Sequence, residues 1–245
     1  MTQLSVNINK IALLRNSRGG DVPNVLEFAE KCLKYGAHGI TLHPRPDQRH
    51  ARYQDVLDLQ KLIQSYPGTE LNVEGNPTPE FLRIVKQARP AQCTLVPDAP
   101  NQLTSDHGWA LSSEAARLMP IIRELKDAGI RVSLFLDPDL QEVEKARDTG
   151  ADRIELYTES YAKAYSTAKK ADVLSVYARA AAHAQADQLG VNAGHDLNLE
   201  NLGDFLKIPG ILEVSIGHAL IVECLTLGLE KTLKSYLAIA STVPG

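Results

Sequence analysis

Short β-rich runs alternate with longer helical patterns along almost the whole chain. The runs that predict strands cover residues 4–9, 39–43, 70–74, 92–96, 131–137, 153–158, 190–194 and 212–217. Between them, apolar residues recur at about 3.6-residue spacing, as in 22–36 and 112–130, and each of these two segments reaches a glycine near its end. This alternation predicts parallel strands that are joined by right-handed helical crossovers.

The number and spacing of these units favour a closed barrel. The chain has 245 residues, which is near the size typical of eight βα units. No linker rich in proline, glycine or serine divides it, and no low-complexity segment appears. We therefore predict an α/β protein, a (β/α)8 TIM barrel whose single domain covers residues 1–245. An open doubly wound sheet is the alternative, although such sheets more often have about five or six strands.

Polar side chains alternate with apolar ones in the predicted strands. In the first strand the apolar set is Leu4, Val6 and Ile8, and the polar set is Ser5, Asn7 and Asn9. Strands two, three and eight repeat this alternation, so apolar faces should meet the helices and polar faces should line the lumen. Such a lumen needs either an internal hydrogen-bonded network or a polar ligand. We favour a cavity for a polar substrate, because the most reactive residue types come at the strand ends.

Composition excludes several classes of protein. The formal net charge is −4 and the pI is near 6, without the clustered lysine and arginine of a nucleic-acid-binding surface. No apolar stretch approaches the roughly 20 residues that span a bilayer, and the N-terminus does not resemble a secretory signal. Cys32, Cys93 and Cys224 form no CxxC pair. These features predict a cytoplasmic protein with free, buried thiols that binds neither nucleic acid nor membrane.

Three residues at predicted strand ends could carry acid–base chemistry. His43 ends strand two, Glu74 ends strand three, and His195 follows strand seven. Barrel enzymes place their active sites at the C-terminal ends of the strands, so these side chains should meet there. A partly desolvated carboxyl such as Glu74 has a raised pKa and can act as a base near neutral pH. The remaining histidines away from strand ends, His38, His107 and His183, are interpreted as structural or surface groups.

Several segments near the same face could bind phosphate. The loop HPRPDQRH (43–50) carries Arg45, Arg49 and His50, and the turn RNSRG (15–19) adds Arg15 and Arg18. SIGHA (215–219) places a glycine before a predicted helix that reads HALIVECLTLGLEKTL, where free N–H groups favour an anion. NAGHD (192–196) is a similar turn after strand seven. We expect these segments to converge on phosphorylated small molecules.

Metal and nucleotide cofactors are the competing uses of such residues. Three histidines and a glutamate could ligate zinc, but the chain has no HxH or HExxH spacing. It also has no GxGxxG or Walker pattern. We therefore predict an enzyme without metal and without a nucleotide cofactor.

Seven ordered segments together resemble the pyridoxine 5'-phosphate synthase family, the ring-closing enzymes of deoxyxylulose-dependent vitamin B6 biosynthesis. The segments are VNINKIALLRNSRG, GITLHPRPDQRH, LNVE, LVPD, AGIRVSLFLD, VNAGHDL and IGHA. The resemblance implies a cofactor-free transferase that condenses 1-deoxy-D-xylulose 5-phosphate with 3-amino-2-oxopropyl phosphate. It also implies a homo-octamer built from dimers. The products of the implied condensation are pyridoxine 5'-phosphate, inorganic phosphate and water.

The resemblance also implies roles for individual residues. His43 and Glu74 match the proton acceptors of the family, and His195 matches its proton donor. The positions that match the amino-ketone phosphate site are Asn7, Arg18, Asp196, Gly217 and His218. The positions that match the deoxyxylulose phosphate site are Asn9, Lys10, Arg45, His50 and Thr104.

The chain departs from the family pattern at three positions. Asn9 and Lys10 replace an aspartate and a histidine after strand one, which changes charge but keeps hydrogen-bonding capacity. Asp196 stands where glycine is usual, and this change is tolerable if the substrate contact uses the backbone N–H.

Two other functions stay open. One is a phosphosugar isomerase or an aldolase, for which Lys10 is the Schiff-base candidate. The other is a barrel that binds a phosphorylated metabolite without turnover. The long segment 97–109 after strand four is a candidate lid.

Overall fold

The computed structural model describes residues 1–99 and 102–242. Eight parallel strands close into a barrel in sequential order, with β8 paired to β1. The strands are β1 (Gln3–Asn7), β2 (Gly39–Leu42), β3 (Glu70–Gly75), β4 (Gln92–Leu95), β5 (Arg131–Leu136), β6 (Arg153–Tyr157), β7 (Gly190–Gly194) and β8 (Ile211–Ile216). The predicted (β/α)8 barrel is confirmed.

Helices surround the barrel between the strands. Those of the first half are α1 (Asn9–Asn16), α2 (Val25–Lys34), α3 (Tyr53–Ile63), α4 (Pro79–Ala88) and α5 (Leu111–Asp127). Those of the second half are α6 (Leu140–Asp148), α7 (Glu159–Ala164), α8 (Lys170–Ala186), α9 (Leu202–Phe205), α10 (His218–Leu227) and α11 (Leu229–Ser241). Across the described ranges 1–99 and 102–242, no helix combines the length and apolar character that crossing a membrane needs.

The alternation of side chains in the strands is confirmed. Leu4 and Val6 of β1 are fully buried in the apolar core between strands and helices. On the opposite face, Ser5 and Thr41 share a hydrogen bond of 2.6 Å across β1 and β2. The lumen is therefore polar from its first layer upward.

Most strand bounds lie within one residue of the predicted ones, and two elements differ more. Strand β1 ends at Asn7 rather than Asn9, because the Asn7 side chain accepts the backbone N–H of Asn9 at 3.1 Å and starts α1 there. The helix predicted over HALIVECLTLGLEKTL is two helices, because Gly228 has φ +80° and cannot continue α10. The first difference lies at the end of β1, which bears the predicted site residue Asn7, whereas the second lies at the far end of α10.

Charged and amide side chains close the N-terminal end of the lumen. We call this set the floor network; it consists of Glu70, Gln92, Arg131, Arg153, Asn192 and Glu213. Arg131 pairs with Glu70 and donates to Gln92 Oε1 at 2.9 Å. Arg153 donates to Asn192 Oδ1 at 3.1 Å and lies 3.5 Å from Glu213. The hydrogen bonds and ion pairs of the floor network satisfy most of the polar groups at the N-terminal end of the barrel. The candidate site lies at the opposite end.

Candidate active site

Glu74 lies at the C-terminal end of the lumen, one residue before the end of β3. Its side chain is 9% exposed, and Asn7 Nδ2 donates to its Oε2 at 3.4 Å. Burial, together with the smaller effects of the negative charges of Asp98 and Glu213, raises the pKa of Glu74 to about 8. A carboxyl with this pKa exchanges protons readily near neutral pH, which is what a general base needs.

Glu155 is a second buried carboxyl that sequence reasoning did not single out. It lies on β6, and Thr94 Oγ1 donates to its Oε2 at 3.4 Å. Burial raises its pKa well above the ordinary range, and the charge of Glu74 adds to this effect. Ionisation of Glu74 therefore makes ionisation of Glu155 still less favourable. The alternation Arg153, Glu155, Tyr157 along β6 was the signal that could have identified it.

His43 is almost fully buried directly after β2. Its backbone N–H donates to Asn9 Oδ1 at 2.9 Å, so the amide at the first departure from the family pattern holds this histidine in place. Burial lowers the pKa of His43 to about 3, and the charges of Arg45, His50 and Arg49 act in the same direction. The ring is therefore neutral near pH 7.

The Asp98 carboxylate lies beside His43 but does not form an ion pair with it. Its Oδ2 is 3.8 Å from His43 Nε2, a distance at which only a protonated ring would make a salt bridge. The neutral state of His43 argues against that pairing. Asp98 instead accepts a hydrogen bond from Arg45 and one from Ser105 at 2.9 Å. A cavity of about 200 Å³ opens here and is lined by His43, Pro44, Arg45, Pro46, Asn76, Thr78, Phe81, Asp98 and Ala99.

The arginines of the loop after β2 hold the segment that was predicted as a lid. Arg45 Nη1 donates to Gln102 O at 3.0 Å, and Arg49 Nη2 donates to Leu103 O at 2.8 Å. The far end of the segment is fixed by Trp109, whose Nε1 donates to Leu95 O at 2.8 Å. Pro100 and Asn101 of the candidate lid lie outside the described residues. Both ends of this segment therefore contact the barrel mouth. Its closure over the site stays a prediction.

Lys10 and His50 lie near each other at the edge of the site. Burial lowers the pKa of His50 to about 4, and the charge of Lys10 is the next largest cause. Lys10 is half-buried on the first turn of α1. Lys10 and Arg45 form a cationic edge on the β1–β2 side of the barrel mouth, and the neutral ring of His50 lies near them.

The two arginines of the turn after β1 have different environments. Arg15 is 2% exposed and binds Asp55 with both of its terminal nitrogens, at 2.6 and 2.9 Å. The expectation that Arg15 contributes to an anion site is wrong, because its charge is already paired beneath α3. Arg18 is exposed, so its guanidinium is available to a ligand.

His195 follows β7 in a tight turn. Its Nε2 lies 3.3 Å from Thr104 Oγ1 of the candidate lid, and its Nδ1 lies 3.1 Å from Asp196 Oδ2. The ring meets that of Tyr157 edge-on, with 5.0 Å between centroids. Three of the predicted site residues, His195, Asp196 and Thr104, are thus in direct contact.

Gly217 and His218 start helix α10 at the end of β8. A Cβ at Gly217 would lie 3.1 Å from Asn7 Cβ, so the bare backbone lets β8 pass close to β1. Helix α10 has ten residues, and its first turn offers free N–H groups and the positive end of its dipole. His218 is exposed beside this turn. Within residues 1–99 and 102–242, no three histidine, cysteine or acidic side chains cluster as a metal site.

Comparison with known proteins identifies the family. The family model described as pyridoxal phosphate biosynthesis protein PdxJ matches residues 4–242. The chain belongs to the PdxJ family. A protein from Porphyromonas gingivalis named pyridoxine 5'-phosphate synthase is 52% identical over 237 residues, covering 96% of this chain and 98% of that protein. A protein of the same name from Cytophaga hutchinsonii is 53% identical over 238 residues, covering 97% and 98%.

Solved structures of other barrels share the fold with this PdxJ-family chain. The orotidine 5'-monophosphate decarboxylase of Methanocaldococcus jannaschii superposes with a TM-score of 0.65 over 98% of this chain and 99% of that one. Sequence identity is 12%, so this likeness concerns the fold alone. The resemblance seen in the sequence segments is confirmed by the family match.

Proposed function

We propose that the protein condenses 1-deoxy-D-xylulose 5-phosphate with 3-amino-2-oxopropyl phosphate, giving pyridoxine 5'-phosphate, inorganic phosphate and water. The activity as a pyridoxine 5'-phosphate synthase follows from family membership and from its relatives' names. The two substrates and the roles of the residues are the further step. The observation that carries this step is Glu74, a buried carboxyl with a pKa of about 8 at the mouth of a polar lumen.

The proton transfers are assigned to three residues, Glu74, His43 and His195. An amine adds to a ketone, water and phosphate leave, and a carbon–carbon bond closes the ring, so protons must be removed and delivered several times. Glu74 and the neutral ring of His43 act as the bases. His195 acts as the acid that gives a proton to a departing oxygen. Glu155 keeps its proton when Glu74 ionises, because burial and the Glu74 charge both raise its pKa.

The two phosphates are bound by two sets of residues around these groups. The amino-ketone phosphate is held by Asn7, Arg18, Asp196, Gly217 and His218, where the N-terminus of α10 favours an anion. The deoxyxylulose phosphate is held by Asn9, Lys10, Arg45, His50 and Thr104, near the cationic edge. Asn9 acts as a support for His43 rather than as an acid or base, since its Oδ1 already accepts the His43 N–H. Binding both phosphates places the reacting atoms for attack.

We extend the proposal to assembly and location. The resemblance implies a homo-octamer built from dimers that works in the cytoplasm. Several apolar side chains on α1 and α10 are exposed in the single chain, namely Leu13, Leu14, Val222 and Leu225. Light scattering after size-exclusion chromatography should give the mass of eight chains; a monomeric mass would contradict the assembly.

Mixing both substrates with the purified protein tests the proposed reaction. We expect the absorbance of pyridoxine phosphate to appear together with one equivalent of inorganic phosphate, and neither substrate alone should give product. Folded protein that yields no product would refute the proposal. Conversion of a single phosphosugar would favour the isomerase. Borohydride trapping of a substrate on Lys10 would favour the aldolase, and binding without conversion would favour the non-catalytic barrel.

A further inference from the structure

The turn after β7 holds a histidine and a carboxylate side by side. His195 Nδ1 lies 3.1 Å from Asp196 Oδ2, and glycine is usual at the position of Asp196 in the family that the sequence resembles. We propose that Asp196 is a positioning residue, whose carboxylate accepts the Nδ1 proton of His195 and so directs Nε2 toward the substrate. This inference rests on the proposed function, in which His195 delivers a proton.

The backbone shows how an aspartate fits where glycine is usual. His195 has φ +87° and Asp196 has φ +60°, so two consecutive residues occupy the left-handed region. Aspartate tolerates this region better than most residues, but glycine adopts it without strain. The turn is held from outside, by Thr158 Oγ1 donating to Gly194 O at 2.8 Å and Asn201 Nδ2 donating to Asp196 O at 3.1 Å. Because the turn does not need the Asp196 side chain, its carboxylate is free for another role.

That role is contact with His195 rather than with phosphate. A carboxylate repels a phosphate dianion, so any contact of Asp196 with the amino-ketone phosphate must use its backbone N–H. The hydrogen bond with His195 is the largest cause that lowers the pKa of Asp196, which keeps its carboxylate ionised and therefore an acceptor. His218 and Lys163 contribute smaller charge effects in the same direction.

The contact decides which nitrogen of His195 faces the reaction. A neutral imidazole has one N–H donor and one acceptor, and the hydrogen bond at one nitrogen fixes the state of the other. With Nδ1–H donated to Asp196, Nε2 accepts a proton in one step and returns it in the next. Nε2 already points to Thr104 of the candidate lid, and the edge of Tyr157 supports the ring.

Two substitutions of Asp196 test the inference in the full-length protein. In Asp196→Gly the turn should keep its shape, and kcat should fall on the order of ten-fold, since a hydrogen bond to a charged group is lost. KM for both substrates should stay within about two-fold of wild type on the same basis. Asp196→Asn keeps an oxygen acceptor for Nδ1–H and should give an intermediate kcat. Asp187→Asn, which changes a carboxylate 3.8 Å from the remote His183, is the control and should leave kcat unchanged.

Nitrogen-15 NMR of the His195 ring supplies a readout that a merely structural role would not move. Wild type and Asp196→Asn should show the Nδ1–H tautomer, whereas Asp196→Gly should show a mixture with Nε2–H. An unchanged tautomer or an unchanged kcat in Asp196→Gly would overturn the inference, as would a rise in KM alone. Wild-type turnover is measured in the same series. If wild type makes no product, the proposed function fails, while the ring spectra still test the contact.

Discussion

The buried pair of Arg15 and Asp55 allows a test of whether an arginine near the site stabilises the fold or binds a substrate. The two side chains are 2% and 12% exposed, and they share two hydrogen bonds of 2.6 and 2.9 Å. Replacing Arg15 by Met leaves the Asp55 carboxylate without its cation, and removing one partner of a buried pair costs about 3–5 kcal/mol. Asp55 keeps one donor, the Arg52 N–H at 2.7 Å, so the lower end of that range applies.

Thermal unfolding measures this loss. One kcal/mol lowers Tm by about 2–4 °C in a chain of this size, so Arg15→Met should lower Tm by about 6–12 °C. Adding Asp55→Asn to Arg15→Met should recover part of that loss, because no lone charge then remains buried.

The kinetic constants separate Arg15 from Arg18. Arg15→Met should leave KM for both substrates near wild type at a temperature where the variant is folded. Arg18→Met removes an exposed guanidinium, so it should raise KM for the amino-ketone phosphate without changing Tm. A rise in KM at unchanged Tm for Arg15→Met would show that Arg15 binds a substrate and that its pairing is not structural.

Three further predictions concern the site. Glu74→Gln or His195→Asn should each lower kcat by about 10²–10⁴-fold, the usual contribution of a general acid or base, and a rise in KM alone would contradict the assigned roles. Glu74 keeps its proton in the folded state up to a pKa of about 8 but loses it near 4.5 when unfolded, so the free energy of unfolding should fall between these pH values. Tm should therefore be lower at pH 9 than at pH 5, and Glu155→Gln should reduce the difference; a flat profile in both proteins would refute this assignment. Arg49→Ala removes a contact to Leu103 O and should make the candidate lid more sensitive to proteases, whereas unchanged cleavage would show that Arg49 does not restrain it.

Strand alternation was sufficient to predict most of the lumen. It placed Ser5 and Asn7 inside from the first strand alone, because one apolar face of each strand must meet the helices. The same rule applied to β6 predicts Glu155 inside, next to the Glu74 carboxyl. The family segments added what alternation could not, namely roles for His195 and Gly217, which lie beyond the strands.

Charge pairing and boundaries were less predictable. Whether Arg15 faces solvent or a carboxylate depends on Asp55, which is 40 positions away in the chain and on another helix. The early end of β1 depends on a hydrogen bond in which the Asn7 side-chain oxygen accepts the Asn9 N–H, and this bond competes with extended backbone. Such effects follow from tertiary contacts, which the pattern of a single segment does not contain.

The floor network restricts the path by which substrates enter the barrel and products leave it. Because charged pairs occupy the N-terminal end of the lumen, the mouth at the opposite end is the route by which substrates reach the proposed site. In the proposed reaction, two substrates enter through this mouth, and pyridoxine 5'-phosphate, inorganic phosphate and water leave through it. The segment held by Arg45 and Arg49 lies at that mouth and would set the rate at which molecules pass through it.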